Sequence, residues 1–120
     1  MNDKSERRVF IRDLELSALI GVHGHEKAKP QRIRLNVELY VRETGDAADD
    51  IRNVVSYEAV IARIEAIVAQ GHVHLVETLA ERIARDCLAD ERVVSVRVRV
   101  EKPDIIRNAA GVGVEIERRR

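Results

Sequence analysis

The amino-acid sequence predicts an α+β domain in which a four-stranded sheet is covered on one face by two helices. Three observations predict it. Four segments alternate apolar and polar residues with a period of two, the pattern of a half-buried strand. Two segments between the second and third of these carry apolar residues at helical spacing. The resulting order is strand, strand, helix, helix, strand, strand. No linker or low-complexity stretch divides it, and 120 residues are the size of one ordinary domain.

The first strand spans Leu14 to Ile20, with Leu14, Leu16, Ala18 and Ile20 on one face. Val9 and Ile11 lie one register off, which predicts a bulge near Arg12 and Asp13. Gly21 to Gln31 is long for a tight hairpin and reads as a loop able to carry function. In the second strand Ile33, Leu35, Val37, Leu39 and Val41 alternate with Arg32, Arg34, Asn36, Glu38 and Tyr40. Thr44 to Asp50 reads as a turn-rich connection. Ser56 then offers an N-cap to the first helix, whose stripe is Val60, Ile61, Ile64, Ile67 and Val68. Gly71 is a natural stop.

The second helix places Val76, Leu79, Ala80, Ile83, Ala84, Cys87 and Leu88 on one face, so Cys87 reads as a core residue rather than a reactive thiol. The third strand sets Val94, Val96, Val98 and Val100 against Ser95, Arg97, Arg99 and Glu101. An irregular stretch follows Lys102 and Pro103. The fourth strand sets Val112, Val114 and Ile116 against Gly113, Glu115 and Glu117.

Composition narrows the function classes. Apolar residues are 45% and charged residues 35%, enough for one modest core. Aromatics are only 2%, so aliphatic side chains must fill that core. Basic and acidic residues balance at 21 each, leaving no net field to attract nucleic acid or an anionic membrane. Arg118, Arg119 and Arg120 read as a solvated tail. Residues 1–7 and 119–120 are expected to be flexible ends of a single domain spanning 1–120. Met1 to Arg8 has no apolar segment of a signal peptide, and no apolar run approaches the roughly 18 residues of a membrane span. A single cysteine fits a reducing cytoplasm.

The charges also bear on assembly. The sheet face away from the helices carries Arg34, Glu38, Arg97, Arg99, Glu115 and Glu117. A four-stranded sheet has two edges that need protection. Closing several such sheets into a barrel would remove the edges and enclose the charged faces. An open monomer with a wet sheet face is the alternative.

Five motifs stand in order along the chain: Ile-Gly-Val-His-Gly-His-Glu-Lys at residues 20–27, Asn-Val-Val-Ser-Tyr at 53–57, His-Leu-Val-Glu-Thr-Leu-Ala-Glu-Arg-Ile-Ala at 74–84, Val-Glu-Lys-Pro at 100–103, and Gly-Val-Gly-Val-Glu-Ile-Glu-Arg at 111–118. This set resembles the dihydroneopterin aldolases, from about Val9 to Arg118. The resemblance implies the tunnelling fold, a ββααββ antiparallel sheet. It further implies that four subunits join their sheets into a barrel, that two barrels stack into an octamer, and that the pterin lies at a subunit interface. The activity implied is conversion of dihydroneopterin to hydroxymethyl-dihydropterin and glycolaldehyde in folate biosynthesis. An epimerase acting on dihydroneopterin or its triphosphate is the enzymatic alternative, and a non-catalytic pterin-binding or scaffolding module the other.

A retro-aldol cleavage needs a base, a proton donor and an electron sink. Dihydropterin carries a ring imine beside the breaking bond, so it supplies the sink, and no cofactor or metal is expected. Lys102 is the candidate base. The chain has four lysines against 17 arginines, and lysine can lose a proton where arginine cannot. By resemblance, Tyr57 relays the proton to the intermediate, and Glu77 grips the two parallel ring donors of the pterin. The main chain at Val76 adds a contact. Glu26 matches the family's other glutamate, set to orient the lysine, a water or the side-chain hydroxyls; a surface pair with Lys27 is its alternative. Some related tunnelling-fold enzymes hold zinc. Here His23 with His25, and His72 with His74, form two His-x-His pairs without an evident third ligand.

Overall fold

The computed structural model describes residues 6–42 and 45–120. The elements are β1 (Glu6–Ala18), α1 (Gly24–Ala28), β2 (Gln31–Arg42), α2 (Tyr57–Val68), α3 (Val76–Leu88), β3 (Val93–Lys102) and β4 (Val112–Arg119), with a single 3-10 turn at Ile51–Asn53. The four strands form one antiparallel sheet in the order β1-β2-β3-β4. The period-two pattern of β2 is realised directly: Ile33, Leu35, Val37 and Leu39 are fully buried beneath the helices. α3 lies across β3 and β4, while α2 packs on β1 and against α3. Val60 and Ile64 of α2 meet Leu79, Ile83 and Cys87 of α3 in the same core. Burial pushes the Cys87 thiol up to about 12, as expected of a packing residue.

The predicted bulge in the first strand is present. Pairing with β2 shifts between Ile11 and Leu14. Asp13 takes a positive φ of 58°, a conformation aspartate tolerates better than most residues. Its N–H donates to Asn36 Oδ1 at 2.9 Å, and Asn36 Nδ2 donates back to its carboxylate at 3.2 Å. Strand β1 begins at Glu6, earlier than the pattern from Leu14 suggested, and Ile20 falls beyond its end. Ile20 instead bridges Val73 in parallel, with Gly21 N–H donating to the Val73 carbonyl at 2.9 Å.

Four other expectations are corrected. The loop after β1 contains the short helix α1, so the chain has three α-helices among its described residues. In β3, Tyr40 pairs with Ser95 but Val41 pairs with Val93. That second bulge turns Val93, not Val94, into the core. The C-terminal arginines are not a solvated tail. Arg118 Nε donates to Glu81 at 3.1 Å, and Arg120 donates to the carbonyls of Val93 at 3.0 Å and Asp90 at 2.7 Å, and to Leu88. The last carbonyls of a helix lack intrahelical donors, and the Arg120 guanidinium supplies them to α3. Glu6 and Arg7 stand in β1 and Arg119 in β4, so these residues of the supposed flexible ends belong to the sheet. Thr44, the start of the expected turn-rich connection, lies outside the described residues. Among the described residues no helix is long and apolar enough to cross a membrane.

Candidate active site

The site begins with two side chains 76 residues apart in sequence. Lys102 is the last residue of β3, and Glu26 lies on α1; Lys102 Nζ donates to Glu26 Oε2 at 2.7 Å. Along β3, Lys102 continues the apolar register of Val96, Val98 and Val100, which aims it beneath the helices rather than at the charged sheet face. The buried Pro103 follows, and pairing of Lys102 with Val112 fixes the strand end.

Glu26 is only 3% exposed, so its charge must be met by donors. Three are present. Besides Lys102, Gln31 Nε2 donates to Oε2 at 3.0 Å, and the His23 backbone N–H donates to Oε1 at 3.3 Å. The hydrogen bond from Lys102, then that from Gln31, hold the Glu26 carboxyl down at about 2, against the opposing effect of burial. Gln31 also donates to the Ile20 carbonyl at 2.7 Å and so ties the loop to β2. Gly21 makes room for this arrangement. It has a φ of +130°, and a Cβ there would stand 2.2 Å from the Glu26 carboxyl carbon.

Of the predicted site residues the structure thus brings Glu26 and Lys102 into contact. The alternative surface pair of Glu26 with Lys27 does not form among the described contacts; Glu26 is buried against Lys102 instead. Tyr57 opens α2 and is 59% exposed; Glu77, in the first turn of α3, is also exposed. Neither makes a described hydrogen bond or ion pair to Glu26 or Lys102. Val76 is half-buried at the first position of α3, where the backbone N–H groups have no intrahelical acceptor. The His23 and His25 rings stack at 5.7 Å, and those of His72 and His74 meet edge to face at 4.8 Å. Among the described residues no three His, Cys, Asp or Glu side chains converge on one point.

Gln31 escaped the sequence reading, although a signal existed. It falls in the same register as Ile33, Leu35 and Val37, where a polar amide needs a partner. A separate cleft of about 290 Å³ at the opposite end of the sheet, lined by Val41, Arg42, Arg52 and Val55 among others, contains none of the predicted residues. Two of its arginines are matched by carboxylates, Arg52 with Asp50 at 2.6 Å and Arg92 with Asp90 at 2.7 Å.

Comparison with known proteins places this geometry in a family. The profile of the dihydroneopterin aldolases matches residues 9–117. The dihydroneopterin aldolase of Streptomyces coelicolor is 40% identical over 98 residues, covering 81% of this chain and 82% of that one. The crystal structure of the Escherichia coli dihydroneopterin aldolase in complex with neopterin superposes with a TM-score of 0.87 at 32% identity, over 93% of this chain and 98% of the other. The Burkholderia thailendensis dihydroneopterin aldolase bound to guanine gives a TM-score of 0.85 at 38% identity, over 96% and 92% of the two chains. With the tunnelling-fold sheet and the motifs in place over nearly its whole length, the chain belongs to the dihydroneopterin aldolase family, lyases of folate biosynthesis.

Proposed function

We propose that Lys102, Glu26, Tyr57 and Glu77 carry out the family's reaction here by a retro-aldol cleavage that needs no metal or cofactor. The observation that carries this reading is the buried contact of Lys102 Nζ with Glu26 at 2.7 Å. The substrate is 7,8-dihydroneopterin and the products are 6-hydroxymethyl-7,8-dihydropterin and glycolaldehyde. Lys102 takes the proton of the hydroxyl on the second side-chain carbon. The bond between the first and second side-chain carbons breaks, glycolaldehyde leaves, and the electron pair moves into the ring imine. Tyr57 then delivers a proton to the first side-chain carbon of the enol-like intermediate.

Glu26 sets the geometry of the first step. An uncharged lysine amine has two N–H groups and one lone pair. It can donate to Glu26 while the lone pair faces the substrate hydroxyl. Glu77 accepts the pterin's amino group and adjacent ring N–H as a two-pronged acceptor, and the Val76 main chain adds a contact.

Tyr57 and Glu77 stand exposed in the single chain, so the complete pocket is assigned to an interface between copies. The proposed assembly is a barrel of joined sheets, a tetramer or two stacked tetramers, working in the cytoplasm. A product assay on dihydroneopterin tests the activity: release of glycolaldehyde supports cleavage, whereas recovery of only a side-chain epimer refutes it. Calorimetric titration with neopterin tests Glu77. Glu77→Ala should weaken binding about a hundredfold, because it leaves two ring donors without an acceptor. Binding within a few-fold of the parent would remove Glu77 from the pocket.

A further inference from the structure

Strand β4 holds Lys102 on one side, through its pairing with Val112. On the other side the ladder stops short. Among the described residues the β2–β3 pairing ends with Arg34 opposite Glu101. Lys102 stands just past that pair on β3, and Gln31 stands at the start of β2. Pro103 follows Lys102 and has no N–H with which the ladder could continue. The chain then runs irregularly to Gly111, closing one turn from the Ala109 N–H to the Ile106 carbonyl at 3.2 Å.

A side-chain pair takes over where the ladder stops. Arg32 Nε donates to Asp104 Oδ2 at 3.1 Å, and Arg32 Nη2 donates to Asp104 Oδ1 at 2.9 Å. Two parallel bonds of this kind fix the orientation of both planar groups as well as their separation. The arginine is itself anchored to the sheet. Its Nη1 donates to Glu15 of β1 at 3.3 Å, and the same Glu15 oxygen accepts from Arg34 Nη2 at 3.1 Å. Arg32 alternates with Gln31 along β2, so it stands on the charged face behind the site. Gln31 in turn holds Glu26.

We propose that Arg32 and Asp104 are positioning residues for the reaction, a clamp that keeps the Lys102 end of β3 in register with the Gln31 end of β2. This rests on the reading of Lys102 as the base and names what holds it in place. The pair is open, at 46% and 56% exposed, so water can take over its share of fold stability. Water does not hold two chain ends at one separation. The clamp touches neither Lys102 nor Glu26, and its effect belongs to the rate of the chemical step.

The test measures kcat for dihydroneopterin cleavage, the Kd of neopterin by calorimetry and the urea unfolding midpoint. The proteins are the parent chain, Asp104→Asn, Arg32→Lys, their double variant and Asp104→Glu. Asparagine keeps the size of the side chain and lysine keeps its charge, but neither can close the fork. Each should lower kcat about tenfold through misplacement of the base, with neopterin affinity within about twofold of the parent and the midpoint unmoved. Both losses come from one contact, so the double variant should be no slower than the slower single. Asp104→Glu can still close a fork and should recover most of the parent's kcat. A parental kcat in Asp104→Asn overturns the clamp. So do losses that multiply in the double variant, that Asp104→Glu does not recover, or that appear in affinity or the midpoint instead of kcat. Lys102→Ala, assayed beside them, tests the underlying reading: turnover at the parent rate removes Lys102 as the base, and the clamp with it. A parent that releases no glycolaldehyde refutes the activity itself.

Discussion

The molecule holds charge in two contrasting places. At the end of β3 the Lys102–Glu26 pair has side chains 16% and 2% exposed. Across the charged sheet face the Arg97–Glu117 pair has side chains 40% and 46% exposed, and Arg32–Asp104 is similarly open at 46% and 56%. The distances are alike, at 2.7, 3.1 and 2.9 Å. Their surroundings differ. Water screens the open pairs and can replace either partner, whereas the buried carboxylate depends on a small fixed set of donors. Distance alone would rank these pairs equally, but burial separates a carboxylate that depends on fixed donors from a solvated lattice of charge.

Substitution sharpens this contrast. Lys102→Ala should lower the rate of aldol cleavage by roughly a thousandfold, the range typical of losing a positioned acid–base group. It should also destabilise the fold by about 2–3 kcal/mol, since it strands a buried carboxylate that retains only two donors. Turnover measured beside urea unfolding checks both, and near-normal turnover would remove Lys102 from the mechanism. Gly21→Ala should come next. It places a Cβ on the Glu26 carboxyl at a backbone angle that alanine resists, with an expected cost of roughly 1–3 kcal/mol and a loss of activity. An active variant of unchanged stability would show that Glu26 can relocate freely.

Acid should reveal the buried pair as well. The Glu26 carboxyl is lowered from an ordinary value of 4.5 to about 2 in the folded chain. A lowered folded value means that its stabilising contribution is complete above about 4.5 and is lost as the pH falls toward 2. Unfolding free energy measured across that window should decline, and Glu26→Gln should flatten the decline. Smallest of all should be Arg97→Ala. The unfolding midpoint should not move measurably, and added salt should make no difference. A large shift there would break the distinction between the two regions.

Much of this was legible in sequence. Period-two alternation located all four strands because each turns an apolar face toward the helices, and Ser56 marked the start of α2, where its Oγ accepts from Ala59 N–H at 3.2 Å. Motif order identified Glu26 and Lys102 separately. Their contact could not be read, because it depends on a sheet that brings the two segments together across 76 residues. Helix α1 has five residues, too few for a helical period to register. Val93 was passed over because three of its neighbours are also valine or serine, and alternation alone cannot decide where a bulge resets the register. Arg118 and Arg120 looked solvated because their acceptors are backbone carbonyls and a glutamate on α3, none of which a local charge count can see.

The two bulges have a consequence for curvature. Ile11 and Leu14 are three residues apart, as are Val93 and Val96, yet each pair faces the core. Removing one residue between them, Asp13 or Val94, would leave every one of these apolar side chains on its present side. Burial therefore does not require either bulge. What a bulge adds is a local bend and extra twist in the strand that carries it. The two register shifts are the places where such a bend is expected in this sheet. If copies close into a ring, each must turn the sheet through an equal fraction of a full circle. The spare residue in β1 and the spare residue in β3 then act on the number of copies a ring can hold, with no part in what any one copy buries.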